Sequence, residues 1–228
     1  MTTAALIVAA GRGTRFGGDL PKQYVPVGGI CAFRRSVETF LAHPQVGRVQ
    51  PVIHRDDASL FSAAVEGLSE ARLAPPVTGG ATRAASVRRG LDALRANAPD
   101  TVLVHDAARP FVSIEIITDV IDALEQAEGA FAALPIVDAL WRVKDGQALD
   151  PVPRDGLWRA QTPQGFHFEA LLAAHQIASA DAADDVEIAR AAGLRVHVVR
   201  GAGENFKITT PDDLARAERT AQRLARKL

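Results

Sequence analysis

Five short runs, residues 4–10, 49–53, 101–105, 130–137 and 195–199, are rich in apolar and β-branched side chains, and several are apolar throughout. Such runs read as strands covered on both faces. Between them the apolar spacing turns helical. Ala84, Val87, Leu91 and Leu94 share one face, and Ile114, Ile117, Ile121 and Leu124 share another behind Ser113 as N-cap. A last helix is announced by Thr210 as cap, Pro211 in the first turn and Asp213 completing a capping box, ahead of Leu214, Ala217 and Ala221. Strands alternating with helices predict an α/β fold in which helices flank a largely parallel sheet. Residues 138–164 break the pattern with Trp141, Trp158, Pro151, Pro153 and an Asp145-Gly146 turn. That stretch is expected to be a protruding β-arm inserted into a single domain spanning residues 1–228, forming a subdomain or a contact with another subunit.

In an open parallel sheet, ligands sit beyond the carboxyl ends of the strands, where glycine turns let backbone N–H groups approach phosphate oxygens. Here the first run leads into "GRGTRFGGDLPKQY". No Gly-Lys-Ser/Thr follows, so this is not a Walker A loop, and the third glycine of a dinucleotide fingerprint would fall on Phe16. What remains is Gly11 and Gly13 for close approach, and Arg15 and Lys22 as two cations able to clamp a polyphosphate. The plainer alternative is a surface loop with solvated charges. A net charge of -1 supplies no global field for nucleic acid or acidic membrane. The single Cys31 excludes a disulfide framework, and the first apolar run is too short for a membrane span and lacks a basic leader. These features lead us to expect a cytoplasmic protein.

The motifs "AAGRGTRFGGDLPKQY", "GGATRAASV", "VHDAARPF", "GLWRAQTPQGF" and "FKITTPDDLARAE" occur in that order and together resemble the 2-C-methyl-D-erythritol 4-phosphate cytidylyltransferases over essentially the whole chain. The resemblance implies a Rossmann-like nucleotidyltransferase fold and a homodimer built with the arm. It also implies CTP and Mg²⁺ or another divalent cation as partners, and release of pyrophosphate in the non-mevalonate route to isoprenoid precursors. Arg15, Lys22, Arg154 and Lys207 would be catalytic. Ala9, Ala10, Gly11, Gly13, Gly79, Gly80, Arg83, Ser86 and Asp106 would join Arg15 and Lys22 around the nucleotide. Asp106, Arg109, Arg154, Thr162 and Lys207 would hold the acceptor, with Arg154 and Thr162 supplied from the arm region across the dimer interface.

Asp106 ends a strand and is expected to hold Mg²⁺ together with the phosphates, its plainer reading being a turn aspartate. Gly80 and Ser86 are equally consistent with a purely structural helix start, and His105 reads as a packing residue. The chain departs from several relatives at Ala139 and Ala183, where they carry threonine, and at Ala81, where they carry an acid. Each missing hydrogen bond is worth about 0.5–1.5 kcal/mol. Two rivals therefore stay open: cytidylyl transfer to another polyol phosphate such as ribitol 5-phosphate, and a CTP-sensing module without transfer. Some relatives fuse the activity to a cyclase, for which 228 residues are expected to leave no room.

Overall fold

The structure, a computed structural model, describes residues 1–13, 16–17, 20–178 and 182–226. In chain order, β1 (Thr3–Ala9) precedes a 3-10 turn (Lys22–Tyr24), the small pair β2 (Pro26–Val27) and β3 (Ile30–Cys31), α1 (Ala32–Ala42), β4 (Val46–Ile53), α2 (Ala58–Ala64) and β5 (Val77–Thr78). Then come α3 (Arg83–Leu94), β6 (Thr101–Asp106), α4 (Ile114–Ala123), β7 (Gly129–Pro135), β8 (Leu140–Lys144) and β9 (Gln147–Val152). The chain closes with β10 (Trp158–His167), α5 (Phe168–Ile177), α6 (Asp185–Ala191), β11 (Val196–Arg200) and α7 (Pro211–Ala225).

One sheet carries the fold, in the order β11-β7-β10-β6-β1-β4-β5. β1 runs parallel to β4 and β6, β4 to β5 and β7 to β11, while β10 is antiparallel to both neighbours. The alternation of side chains along β1 divides the core. Ala5, Ile7 and Ala9 meet Phe33, Val37 and Phe40 of α1 and Ile117 and Val120 of α4. Ala4 and Leu6 meet Val87, Leu91 and Leu94 of α3 and Phe168 and Leu171 of α5. Both faces are therefore apolar, and full burial of a side chain such as Leu6 contributes about 1.5–3 kcal/mol. The α3 register is close: a Cβ on Gly90 would stand 2.8 Å from Val52 Cγ2 and 2.9 Å from Leu6 Cδ2.

Helix signals in the sequence are matched by side-chain caps. Ser113 accepts from Ile116 N, and Thr210 with Asp213 forms a complete capping box. Two expectations change. The protruding hairpin is narrower than residues 138–164: it comprises β8 and β9 around Asp145 and Gly146, both with positive φ, whereas residues 158–164 begin β10, inside the sheet. Thr162, Pro163 and Gln164 look like loop residues, yet they are buried because their neighbours satisfy the polar groups. The run at 195–199 is likewise not covered on both faces. As β11 it forms the sheet edge, and it is largely exposed. Among the described residues no helix is long and apolar enough to cross a membrane.

Candidate active site

Parallel β1, β4, β5 and β6 end at the same edge of the sheet, so the loops that leave them converge. They enclose a pocket of about 600 Å³. Ala9, Ala10, Gly11, Gly13 and Lys22 line it from the first loop, Gly79, Gly80, Arg83 and Ser86 from the start of α3, and Asp106 and Lys207 from the far side. Eleven separate expectations of the sequence thus share one wall system. Arg15 lies outside the described residues.

The first loop is held from below. Buried Gln23 donates through Nε2 to Ala9 O at 2.7 Å and Gly11 O at 3.2 Å, joining the 3-10 turn to the strand end. Gly13 has φ +61°, and a Cβ there would lie 3.3 Å from Lys22 Cδ, so glycine permits both the backbone conformation and the lysine's passage. Arg12 is exposed yet ion-paired. Its guanidinium pairs with Asp57 and Asp56 at 2.8 Å each and contacts His54 Nδ1, tying the loop to the end of β4.

At the second turn, Gly80 N donates to Ser86 Oγ at 3.1 Å, and that hydroxyl donates to Thr82 O at 2.9 Å. Ser86 therefore folds the turn from within. A Cβ on Gly79 would approach Ala10 Cβ to 2.4 Å, so the Gly79 backbone packs directly against the Ala10 methyl of the first loop. Arg89 braces the same turn by donating to Gly79 O at 2.7 Å.

Asp106 is the electrostatic centre. Its oxygens accept from Lys207 Nζ at 2.8 Å and Arg83 Nε at 3.3 Å, with Arg109 Nε at 3.8 Å. Burial alone would raise the carboxyl pKa, but these three cations override it and hold the group well below the usual carboxylate range. For Arg83, burial opposes the charge while Asp185 and Asp106 more than restore it.

Behind Asp106 the backbone is pinned by a directed chain. Asp106 N donates to Thr162 Oγ1 at 3.1 Å, Thr162 faces His105 Nδ1 at 3.0 Å, and His105 Nε2 faces Arg109 O at 3.1 Å. A carbonyl only accepts, so Nε2 carries the proton and Nδ1 accepts from the Thr162 hydroxyl. His105 is thus more than a packing residue: it fixes the turn that presents Asp106 and Arg109.

Three expected acceptor ligands do not line the pocket. Thr162 is buried within β10 of the central sheet rather than placed on the hairpin. Arg109 donates to Asn205 O at 2.9 Å and Ala160 O at 3.4 Å. Arg154 is exposed beyond the hairpin and donates to Val137 O. Asp106 is the carboxylate expected to hold a divalent ion. Each of its oxygens accepts from one cation, Arg83 on Oδ1 and Lys207 on Oδ2, and each keeps a second lone pair that a metal held jointly with phosphates could use.

The sequence reading missed Arg12, Gln23, Arg55, Arg89 and Thr209, all of which line the pocket. Gln23, Arg12 and Thr209 stood inside quoted motifs, whereas Arg55 and Arg89 carried no signal because only folding brings the end of β4 and the outer face of α3 to the same opening.

Comparison with known proteins agrees with this architecture. The family described as "IspD: 2-C-methyl-D-erythritol 4-phosphate cytidylyltransferase" matches residues 3–223. The chain is 51% identical over 219 residues to a 2-C-methyl-D-erythritol 4-phosphate cytidylyltransferase of Cereibacter sphaeroides, covering 96% of each chain. It is 52% identical over 217 residues to a bifunctional enzyme IspD/IspF of Rhodospirillum rubrum, spanning 56% of that protein. The crystal structure of 2-C-methyl-D-erythritol 4-phosphate cytidylyltransferase from Thermus thermophilus superposes with a TM-score of 0.82 at 32% identity, over 97% of this chain and 100% of that one.

Proposed function

The chain belongs to the 2-C-methyl-D-erythritol 4-phosphate cytidylyltransferase family, and from that premise we propose that its pocket binds CTP and transfers the cytidylyl group to 2-C-methyl-D-erythritol 4-phosphate. The observation that carries the assignment to this pocket is the convergence of the first glycine loop with Lys22, the Gly79-Gly80 turn with Arg83, and the Asp106–Lys207 pair around one cavity. Backbone groups at Ala9, Ala10, Gly11 and Gly13 receive the triphosphate, and the turn before α3 receives cytosine and ribose.

The acceptor's phosphate monoester is already largely dianionic at neutral pH. One of its oxygens forms the new bond to the α-phosphorus, the α–β bridging bond breaks, and pyrophosphate leaves with the electron pair. No general base is required, so the protein's part is positioning and charge neutralisation. Lys22 and Lys207, together with Arg15, offset the growing negative charge. Mg²⁺ or another divalent cation is the expected companion of CTP, and no step here runs through a protein-held ion. Arg109 and Thr162 act from beneath the acceptor site by shaping it.

We further assign the hairpin to pairing of two copies. A two-stranded hairpin alone is marginally stable, and this one exposes Trp141, Val143 and Leu149, an apolar surface suited to a second chain. Arg154 would then serve the partner's pocket. The lone, half-buried Cys31 suits a reducing cytoplasm.

Pyrophosphate release measured with four nucleoside triphosphates against several polyol phosphates tests the reading. We expect CTP with 2-C-methyl-D-erythritol 4-phosphate to win. Preference for ribitol 5-phosphate would move the acceptor assignment, and tight CTP binding without release would leave only a sensor. Lys22→Ala and Arg15→Ala should each lower kcat/KM by about a hundredfold or more with folding intact.

A further inference from the structure

Behind Arg83 runs a buried chain of ionisable groups that the transfer chemistry leaves unexplained. His175 of α5 and Asp185 of α6 are 3% and 0% exposed. His175 Nε2 stands 3.0 Å from Asp185 Oδ1, and Asp185 Oδ2 accepts from Arg83 Nη1 at 2.7 Å. A carboxylate only accepts, so Nε2 is the donor. From Arg83 the chain continues through Nε to Asp106 and on to Lys207. Asp185 is fixed on its other side as well: its backbone N–H donates to Gln164 Oε1 at 3.0 Å, and Gln164 Nε2 donates to Asp184 Oδ2 at 3.0 Å. A carboxylate and an imidazole so far from solvent are poor sources of stability, since desolvation opposes their attraction.

Their effect is geometric. With Nε on Asp106 and Nη1 on Asp185, the plane of the Arg83 guanidinium is set by two carboxylates on different elements. Its Nη2 is buried and has no protein hydrogen-bond partner, on a side chain that lines the pocket. A buried donor left open on a guanidinium whose Nε and Nη1 are both held by carboxylates is what a bound ligand's acceptor would complete. We propose that His175 and Asp185 are positioning residues for the reaction, acting through Arg83: they orient the open Nη2 toward an acceptor oxygen of the nucleotide and keep Asp106 and Lys207 in register. This inference rests on the nucleotide-binding reading of the pocket.

The test is a double-mutant cycle on kcat/KM for CTP, with calorimetric CTP affinity and melting temperature recorded for every variant. His175→Leu and Asp185→Asn should each lower kcat/KM about tenfold in the native background, yet about twofold or less when Arg83 is already alanine. His175→Gln, which keeps an N–H donor, should restore most of the loss. Asp185→Asn preserves side-chain shape and so serves if the leucine variant fails to fold. Equal losses with and without Arg83, unchanged kcat/KM in a folded His175→Leu protein, or no rescue by glutamine would overturn the proposal alone. A native enzyme that neither binds CTP nor releases pyrophosphate would overturn the reading of the pocket, and this inference with it.

Discussion

Buried His105 and Asp106 make the site sensitive to acid in two separate windows. Burial pulls the His105 pKa down to about 4, against roughly 6.5 in an unfolded chain. Between these values the unfolded state holds the additional proton, so stability falls as pH drops from about 6.5 toward about 4. Asp106 acts lower. Its folded carboxyl lies below the ordinary range, so its contribution is present above about pH 4 and is lost as pH falls further. Urea unfolding between pH 7 and pH 4 should show native stability falling more steeply than that of His105→Gln, by up to about 1.4 kcal/mol per pH unit. Parallel slopes would rule out a neutral buried imidazole. Replacing Asp106 by asparagine leaves Lys207, Arg83 and Arg109 without their common counter-ion and should destabilise the fold by about 3 kcal/mol.

The placement of α3 decides whether the pocket exists. The helix begins at Arg83 behind the Thr82 cap, whose side chain accepts from Ala85 N, and it descends onto β1 and β4 at Gly90. Because a methyl group at Gly90 would press on Leu6 and Val52 of the sheet, the helix must lift. Gly90→Ala should therefore destabilise by about 1–3 kcal/mol despite alanine's better helix propensity, and the displacement should weaken CTP binding although no ligand contact is altered. Denaturation midpoints paired with CTP titrations would check this; a stabilised variant with native affinity would refute the packing argument. The same logic explains why the α3 turn, the β1 loop and the end of β6 act together, since each is the exit of a strand in one parallel block.

At the scale of the molecule, the hairpin and the pocket belong to different parts of one chain, and Arg154 lies outside the pocket walls. If the arm of one copy completes the site of another, two dead variants can complement. Lys22→Ala mixed with Arg154→Ala under exchange should recover about a quarter of native activity, because half of the pairs are mixed and each mixed pair has one intact site. Recovery should vanish when the apolar hairpin face is removed by Trp141→Ser with Leu149→Ser. A mixture no more active than its components would return Arg154 to its own chain.

What the sequence determined by itself was whatever depends on neighbours along the chain. Period and capping declared β1, β6, α3, α4 and α7, because strand faces and helix stripes repeat locally. The glycine loop with Lys22 was legible for the same reason. Tertiary structure alone decided the rest. Polar Gln161, Thr162 and Gln164 became core strand because partners as distant as His105, Asp184 and Ala202 satisfy them. Arg109 turned inward onto Asn205 and Ala160, and Asp106 acquired Arg83 and Lys207 from distant segments beside its near neighbour Arg109. Burial of polar groups is settled by which partners arrive across the fold, and no local pattern records that arrival.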